Sequence, residues 1–402
     1  MVLDLRFTCL ASALALTVSN MANADIFEDL SSAAKDGTAK FGVRYRVETV
    51  DQDGIEEDAL ASTAKARFSW TSGSVNNFTV GLETDYVVAI GDDQYNSTDN
   101  GRTTFPVVAD PEGFDVNQAF LKYNSSGVTA TFGRQRILHQ GQRFVGGVGW
   151  RQNEQTYDAF RLQFKPVEAL SVDYSFVFNV NRIFGPDGGA QPAEWDSESH
   201  FFLAKYAINK QHSLTGFAYL LDFSNGNGIP NSTSTYGVDY AGAFGAFKLN
   251  ASYASQSDYG DSPLDYGADY YAVSASYKLK PVNFTVGYEV LGSDDGAAAF
   301  RTPLATLHKF QGWADKFLGT PAAGIEDLYL GVAGSVGKLK LAATYHDFTS
   351  NEGSDDLGSE INIVATLPLH KTTSLQLKFA DYSADNHATD TTKIWATLNF
   401  AI

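Results

Sequence analysis

An all-β chain closed as a transmembrane antiparallel barrel is the fold class the sequence predicts, and three observations predict it. Segments of about ten residues alternate apolar and polar side chains along the chain, the two-residue period of a strand with one face in lipid and one in water. The last segment shows the pattern: Ile394, Ala396, Leu398, Phe400 and Ile402 share one face, and Lys393, Trp395, Thr397 and Asn399 share the other. Beyond the first two dozen residues, no stretch approaches the roughly 20 apolar residues of a membrane helix, while 20 Tyr and 28 Phe can supply the interfacial girdles of a barrel. Finally, tight turns (124–127, 166–169, 209–212, 337–338) alternate with long loops rich in Gly and Asp. Short periplasmic turns facing long extracellular loops are the asymmetry of such barrels.

Read in order, residues 1–24 form a secretory signal: Arg6 precedes an apolar run from Phe7 to Val18 that ends in the small-residue triplet Ala22-Asn23-Ala24. The run is too short to span a bilayer. The sole cysteine, Cys9, lies inside it, so the exported chain would hold no thiol. Residues 25–38, with Ile26, Phe27 and Leu30 among acids and alanines, read as a short amphipathic helix or a mobile tail on the periplasmic side. Residues 39–402 are the barrel. Its strands are expected near 40–49, 61–71, 77–89, 115–124, 128–137, 156–165, 170–181, 199–208, 213–223, 234–244, 246–256, 268–278, 282–292, 325–334, 338–348, 358–368, 374–384 and 391–402. That makes eighteen, with sixteen as the alternative count if two weak hairpins are loop. Long connections follow the odd strands, which puts both termini on the short-turn side.

Strand faces locate the water-filled side. In the first strand Phe41, Val43, Tyr45 and Val47 alternate with Gly42, Arg44, Arg46 and Glu48, and in the second Ala64, Ala66, Phe68 and Trp70 alternate with Lys65, Arg67 and Ser69. A Lys or Arg at the bilayer midplane costs about 2 to 4 kcal/mol, so the charged sets face the lumen. The sixth strand repeats the arrangement with Arg161, Gln163 and Lys165 inward. Arg134, Arg136, Arg143, Arg151, Arg161 and Arg182 crowd two hairpins and their loops. A guanidinium fork matches a carboxylate, so Arg44, Arg46, Lys65, Arg67, Arg134, Arg136, Arg161 and Lys165 are candidates for guiding an anionic solute. The alternative is that they pair with lumen acids such as Glu48, Glu83, Asp85, Asp158 and Asp173.

The outer loops carry the opposite sign, with Asp51, Asp53, Glu56, Glu57 and Asp58 in the first, Asp92, Asp93, Asp99 and Asp110 in the second, and Asp355 and Asp356 in a late one. A solvated face, or bridging to lipopolysaccharide through divalent ions, accounts for them better than a dedicated metal site. Between Thr302 and Pro321, Leu304, Leu307, Phe310, Trp313 and Phe317 recur at three- and four-residue steps, which predicts a helix near 302–321. With His308, these residues are candidates for a constriction folded into the barrel mouth, the alternative being an external cap.

That insert, together with Phe132-Gly133-Arg134-Gln135-Arg136-Ile137 and Asn153-Glu154-Gln155-Thr156-Tyr157-Asp158-Ala159-Phe160-Arg161, resembles the alginate-export-like family of Gram-negative outer-membrane proteins. The resemblance implies an eighteen-stranded barrel with an electropositive lumen, in which Arg134, Arg136 and Arg161 would contact sugar carboxylates.

A formal charge of −18 argues against binding nucleic acid. His212-Ser213 and His346-Asp347 are adjacent in sequence, but neighbouring strand residues point to opposite faces, so neither is a catalytic dyad. No catalytic residue, cofactor or metal set is expected, and Gly146-Gly147-Val148-Gly149 reads as loop flexibility rather than a phosphate cradle. The sequence therefore predicts a porin-like channel in the outer membrane of a Gram-negative bacterium, for passive or substrate-biased passage of small hydrophilic solutes, including acidic oligo- or polysaccharides such as alginate. The competing expectation is a non-conducting structural, adhesin or receptor barrel acting through its acidic loops. The expected partners are outer-membrane lipid, lipopolysaccharide and the barrel-assembly machinery, the last reading the C-terminal strand, and a monomer is the expected state.

Overall fold

The computed structural model describes Asp29 and residues 31–402, so the leader expected over residues 1–24 lies outside the described residues. Eighteen strands form one closed antiparallel sheet: β1 (Thr38–Gln52), β2 (Ala59–Thr71), β3 (Phe78–Ala89), β4 (Gly113–Ser125), β5 (Val128–Gln135), β6 (Thr156–Val167), β7 (Leu170–Asn181), β8 (Glu194–Ala207), β9 (His212–Leu221), β10 (Thr233–Phe244), β11 (Phe247–Asp258), β12 (Gly267–Leu279), β13 (Val282–Leu291), β16 (Ile325–Val336), β17 (Leu339–Thr349), β18 (Asp356–Pro368), β19 (Thr373–Ala384) and β20 (Thr391–Ala401). β14 (Ser293–Asp294) and β15 (Ala298–Ala299) are a two-residue hairpin inside a loop. The barrel closes because β1 pairs with both β2 and β20. All eighteen expected strands are present.

Lipid and water select the faces as the alternation required. In β20, Ile394 is 48% exposed and Trp395 is 1% exposed. With no bilayer present, the exposed apolar face is the lipid-facing one, carrying among others Phe41, Tyr45, Phe160, Tyr236 and Leu330. The start of β1 and the end of β20 both lie at the short-turn end. Residues 31–35 are helical and pack against the β2–β3 turn, where the Gly73 N–H donates to the Ala33 carbonyl at 2.8 Å. Of the two forms expected for the N-terminal segment, the described part takes the helical one.

At the other end, nine loops join the strands: L1 (53–58), L2 (90–112), L3 (136–155), L4 (182–193), L5 (222–232), L6 (259–266), L7 (292–324), L8 (350–355) and L9 (385–390). L3 and L7 fold inward. Ile137, Phe144 and Val145 of L3 and Phe300, Leu304, Ala314 and Phe317 of L7 pack against the inward side chains Tyr157, Phe201, Phe217, Tyr219, Tyr270, Phe348, Tyr382 and Trp395. These wall residues sit toward the loop ends of their strands, so the outer half of the barrel holds an apolar core. Burial of each large side chain stabilises by about 1.5 to 3 kcal/mol, which fixes both loops.

Two expectations are corrected here. The helix expected near 302–321 does not form; only a single 3₁₀ turn, Leu307–Lys309, is present. Gln311, Gly312 and Asp315 have φ of 48°, 81° and 63°, left-handed values that no right-handed helix accommodates. The apolar residues are covered from several directions, by L3 and by different strands, so no single helical face is needed. Asp110, expected on the acidic exterior, is fully buried, where it accepts the Gln152 N–H at 2.8 Å and faces Arg46 and Arg151. Asp51, Asp53, Glu56, Glu57 and Asp58 are on the surface as expected.

Candidate functional site

The basic wall expected from strand alternation does face the lumen, and L3 is seated on it. Arg44 Nη1 donates to the carbonyls of Gly149, Trp150 and Arg151 at 3.0, 3.2 and 3.0 Å. Arg46 donates to the Trp150 carbonyl at 2.5 Å. Arg67 is bidentate on Asp85 and reaches Glu154 of L3 at 2.9 Å, and Arg136 donates to the other Glu154 oxygen at 2.5 Å while pairing with Glu83. Lys65 is buried 3.8 Å from Asp85. Arg134 clamps Asp158 at 2.8 and 3.1 Å, and Arg161 clamps Asp173 at 2.9 and 2.5 Å. Lys165, near the short-turn rim, is exposed and in no ion pair among the described residues. Of the two readings of these cations, pairing with lumen acids therefore describes most of them, and the acid that ties the wall to the loop, Glu154, is on L3 itself. Burial alone would raise the Glu154 pKa, but Arg67 and Arg136 outweigh it and hold the carboxyl at about 2.

L3 and L7 are joined backbone to backbone. The Gly146 N–H donates to the Leu304 carbonyl at 2.8 Å and the Thr306 N–H to the Gln142 carbonyl at 3.0 Å. A Cβ on Gly146 would lie 2.5 Å from Thr306 Oγ1, so the glycine run read as flexibility is a close-packing requirement. Arg143 pins the joint from within: it donates to Glu289 at 2.6 Å, Thr302 at 3.0 Å and Gln311 at 3.3 Å, with its guanidinium 4.7 Å from the centre of the Phe310 ring. Glu360 of β18 accepts the Trp313 and Ala314 N–H groups, and a Cβ on Gly312 would collide with its carboxylate.

Asp315 anchors the inner tip of L7. It accepts from His308 Nδ1 at 2.8 Å and Lys393 at 2.9 Å and faces Arg151 at 3.6 Å, while Arg151 also donates to Glu48 at 3.0 Å. Burial works against the Asp315 charge, but Lys393 and His308 outweigh it and hold the carboxyl far below the usual carboxylate range. Burial pushes His308 well below the usual histidine range. Among the constriction candidates, Leu304 and Phe317 belong to the apolar core, Phe310 lies under Arg143, Leu307 is half-buried, and His308 and Trp313 line a cavity.

That cavity, of about 410 Å³, lies where the two loops meet the wall. His308 stacks on Trp150 with ring centres 3.4 Å apart. Beside them the Lys378 ammonium lies 4.0 Å from the Trp313 ring centre and 4.9 Å from that of Trp395. Its close polar contact is His308 Nε2 at 2.6 Å, and it forms no ion pair with a carboxylate among the described residues. Arg136, Lys309 and Lys378 line the cavity against one carboxylate, Glu154. The indole N–H of Trp150 is buried without a partner among the described residues. A second cavity of about 1050 Å³ adjoins it and spreads along the opposite wall, over Ser213, Thr215, Asn250, Ser274 and Thr344.

Strand parity pointed to Arg44, Arg46, Lys65, Arg67, Arg161 and Lys165, and the crowding of arginine to Arg134 and Arg136; neither pointed to Trp150, Glu154, Asp315 or Lys378. Lys378 faces Trp395 across the β19–β20 register, so the inward parity of β20 extended one strand back would have found it. Nothing in the sequence marked Glu154 or Asp315 as partners of distant strands. His212 and His346, tested as dyad members, contact Tyr240 at 2.7 Å and Asp327 at 2.9 Å.

A family described as Gram-negative porin matches residues 11–387. No curated protein matches the sequence. Among solved structures, the chain is similar to Acinetobacter baumannii OccAB4, with a TM-score of 0.73 at 14% identity, covering 91% of this chain and 98% of that one. It is also similar to Pseudomonas aeruginosa OpdK, whose structure was solved with vanillate, with a TM-score of 0.71 at 12% identity, covering 92% and 99%. A. baumannii OccAB2 follows with a TM-score of 0.70 at 14% identity, covering 92% and 99%. At these identities the likeness shows the fold alone. The matching family is the Gram-negative porins and not the alginate-export-like family the sequence resembled, so sugar-carboxylate contacts at Arg134, Arg136 and Arg161 lose the support of that resemblance.

Proposed function

The chain belongs to the Gram-negative porin family, which makes it a porin-like outer-membrane channel for small solutes, and from that premise we propose that L3 and L7 form its constriction and favour small anions. One observation carries this reading: the cavity at the loop joint presents Lys378, a lumen cation with no carboxylate partner among the described residues, between tryptophan faces. A solute carboxylate would meet the Lys378 ammonium, and a flat ring would lie on the indoles. A volume of about 410 Å³ suits a single ring better than a polymer. The vanillate named with OpdK is a solute of this shape and charge. A single uronate ring belongs to the class, whereas a chain such as alginate would have to pass the filled outer half. Of the eight basic candidates, Arg44, Arg46 and Arg67 act as the seat of L3, Arg136 at the root of the loop binds Glu83 and Glu154, Lys65, Arg134 and Arg161 face strand acids, and Lys165 is left to attract anions at the periplasmic rim.

The reading has no catalytic role for any residue, and the alternative of a non-conducting barrel acting through its loops stands as its competitor. We further propose a monomer whose acidic outer loops meet lipopolysaccharide and whose C-terminal strand, with Phe400 outward, is read during assembly.

The test is conductance of the purified protein in planar bilayers, with reversal potentials in a salt gradient and added benzoate-type or uronate monoanions. Anion preference and block by the monoanions are expected, with the apparent affinity for the blocker falling about tenfold in Lys378→Ala, the loss of one charge-assisted contact. Block that is unchanged in Lys378→Ala would remove the cavity from the solute path, and absence of current would favour the structural barrel.

A further inference from the structure

The two ring nitrogens of His308 are held by groups that demand opposite things of them. Nδ1 lies 2.8 Å from Asp315 Oδ1, and a buried carboxylate can only accept, so Nδ1 carries the proton. Nε2 lies 2.6 Å from the Lys378 ammonium, which can only donate, so Nε2 is bare. His308 is thus a neutral bridge between L7, on which it sits, and β19 of the wall. Its ring stacked on Trp150 ties the same point to L3.

We propose that His308 is a proton-operated latch: neutral, it holds L7 across the channel, and protonated on Nε2 it releases the loop and widens the pore. Once protonated, Nε2–H faces an ammonium at contact distance in a dry site, and two like charges there repel strongly. The surroundings cannot absorb the added charge. From L7 itself come Asp315, Lys309 and Lys316; from L3, Arg136, Arg151 and Glu154, the last already paired with Arg67 and Arg136; from β1, Arg46 and Glu48; from β18, Glu360; from β19, Lys378; from β20, Lys393. Asp315 is already shared by Lys393 and Arg151. Glu48 is engaged by Arg151, and Glu360 by the Trp313 and Ala314 N–H groups. The link to β19 is made by side chains alone, so the His308 segment of L7 can part from the wall there while Leu304 and Phe317 stay in the apolar core.

The sign follows from linkage. Burial depresses the docked histidine below an undocked one, which titrates near 6.5, so the docked loop binds fewer protons. Docking is fully stable above that pH and weakens as pH falls through and below it, the undocked-to-docked ratio rising by up to about tenfold per unit.

The latch rests on the constriction reading for its effect on current, and two measurements separate them. Single-channel conductance recorded from about pH 8 to pH 5 should rise on acidification in the native chain. It should stay low throughout in His308→Gln, whose amide keeps both contacts but takes up no proton, and stay high throughout in His308→Ala. A flat native profile, or an equal rise in His308→Gln, would overturn the latch. Tryptophan emission reports the Trp150–His308 stack whether or not current flows: an emission change absent from His308→Gln supports the latch, and unchanged native emission overturns it. An emission change in a barrel that never conducts would sink the channel reading alone.

Discussion

Two walls of the same barrel teach opposite lessons about charge. The wall from β1 to β6 carries Arg44, Arg46, Arg67, Arg134 and Arg161, with Arg136 at the root of L3 beside them, yet these guanidiniums are spent on L3 carbonyls, on Glu154 and on strand acids. The wall from β9 to β17 presents hydroxyls, amides and alanines with a few acids, Asp239, Glu289 and Asp327, and borders the larger cavity, of about 1050 Å³. The richly charged wall is a socket, and the plainer one is open surface. A charge projected into a lumen is available to a solute only if no loop has reached it first, because a buried ion must be paired to be tolerated.

The comparison breaks most readily at Glu154. Glu154→Ala leaves Arg67 of the wall without its L3 partner and Arg136, at the root of L3, with Glu83 alone, and we expect L3 docking to weaken by about 2 kcal/mol, toward the low end because both guanidiniums keep some solvent. Conductance and anion preference should both rise, and a variant with native current and selectivity would mean that the wall does not hold the loop. A somewhat smaller effect should follow from acid. The Glu154 carboxyl is held at about 2 against 4.5 when free, so its contribution is present above pH 4.5 and lost as pH falls toward 2. Conductance should climb a second time in that window, below the histidine range, and the climb should be missing in Glu154→Gln.

On the opposite wall the effects should shrink. Asp239 accepts from Ser252 at 2.5 Å and from Gln140, with no cation partner among the described residues. Asp239→Asn should therefore shift reversal potentials modestly toward anions and leave single-channel conductance near native; a collapse in conductance would show that this wall is built as tightly as the other. The smallest effect belongs to Lys165→Gln at the rim, a slight loss of anion preference that high salt should erase, since exposed charges are screened within about 10 Å at 0.1 M.

The fold was legible nearly to the strand. Lipid imposes one apolar face on every strand, so Phe41, Val43, Tyr45 and Val47 announce β1 without help from any other part of the chain. The insert at 302–321 was misread for a related reason: Leu304, Leu307, Phe310, Trp313 and Phe317 keep helical spacing, but each is covered by a different neighbour. Gly312 turns with φ of 81° so that Glu360 can accept the next two N–H groups.

By itself the sequence determined the strand number and the inward and outward faces, with basic residues gathered on the lumen side of the first, second and sixth strands, because these follow from local alternation against a two-phase solvent. Which charges remain free was decided only by tertiary structure. Arg44 meets Gly149 across 105 positions and Lys393 meets Asp315 across 78, distances over which local pattern carries no information. The site is therefore a property of two loops folded into a barrel, and of Lys378, a cation that the loops meet through His308 rather than through a carboxylate.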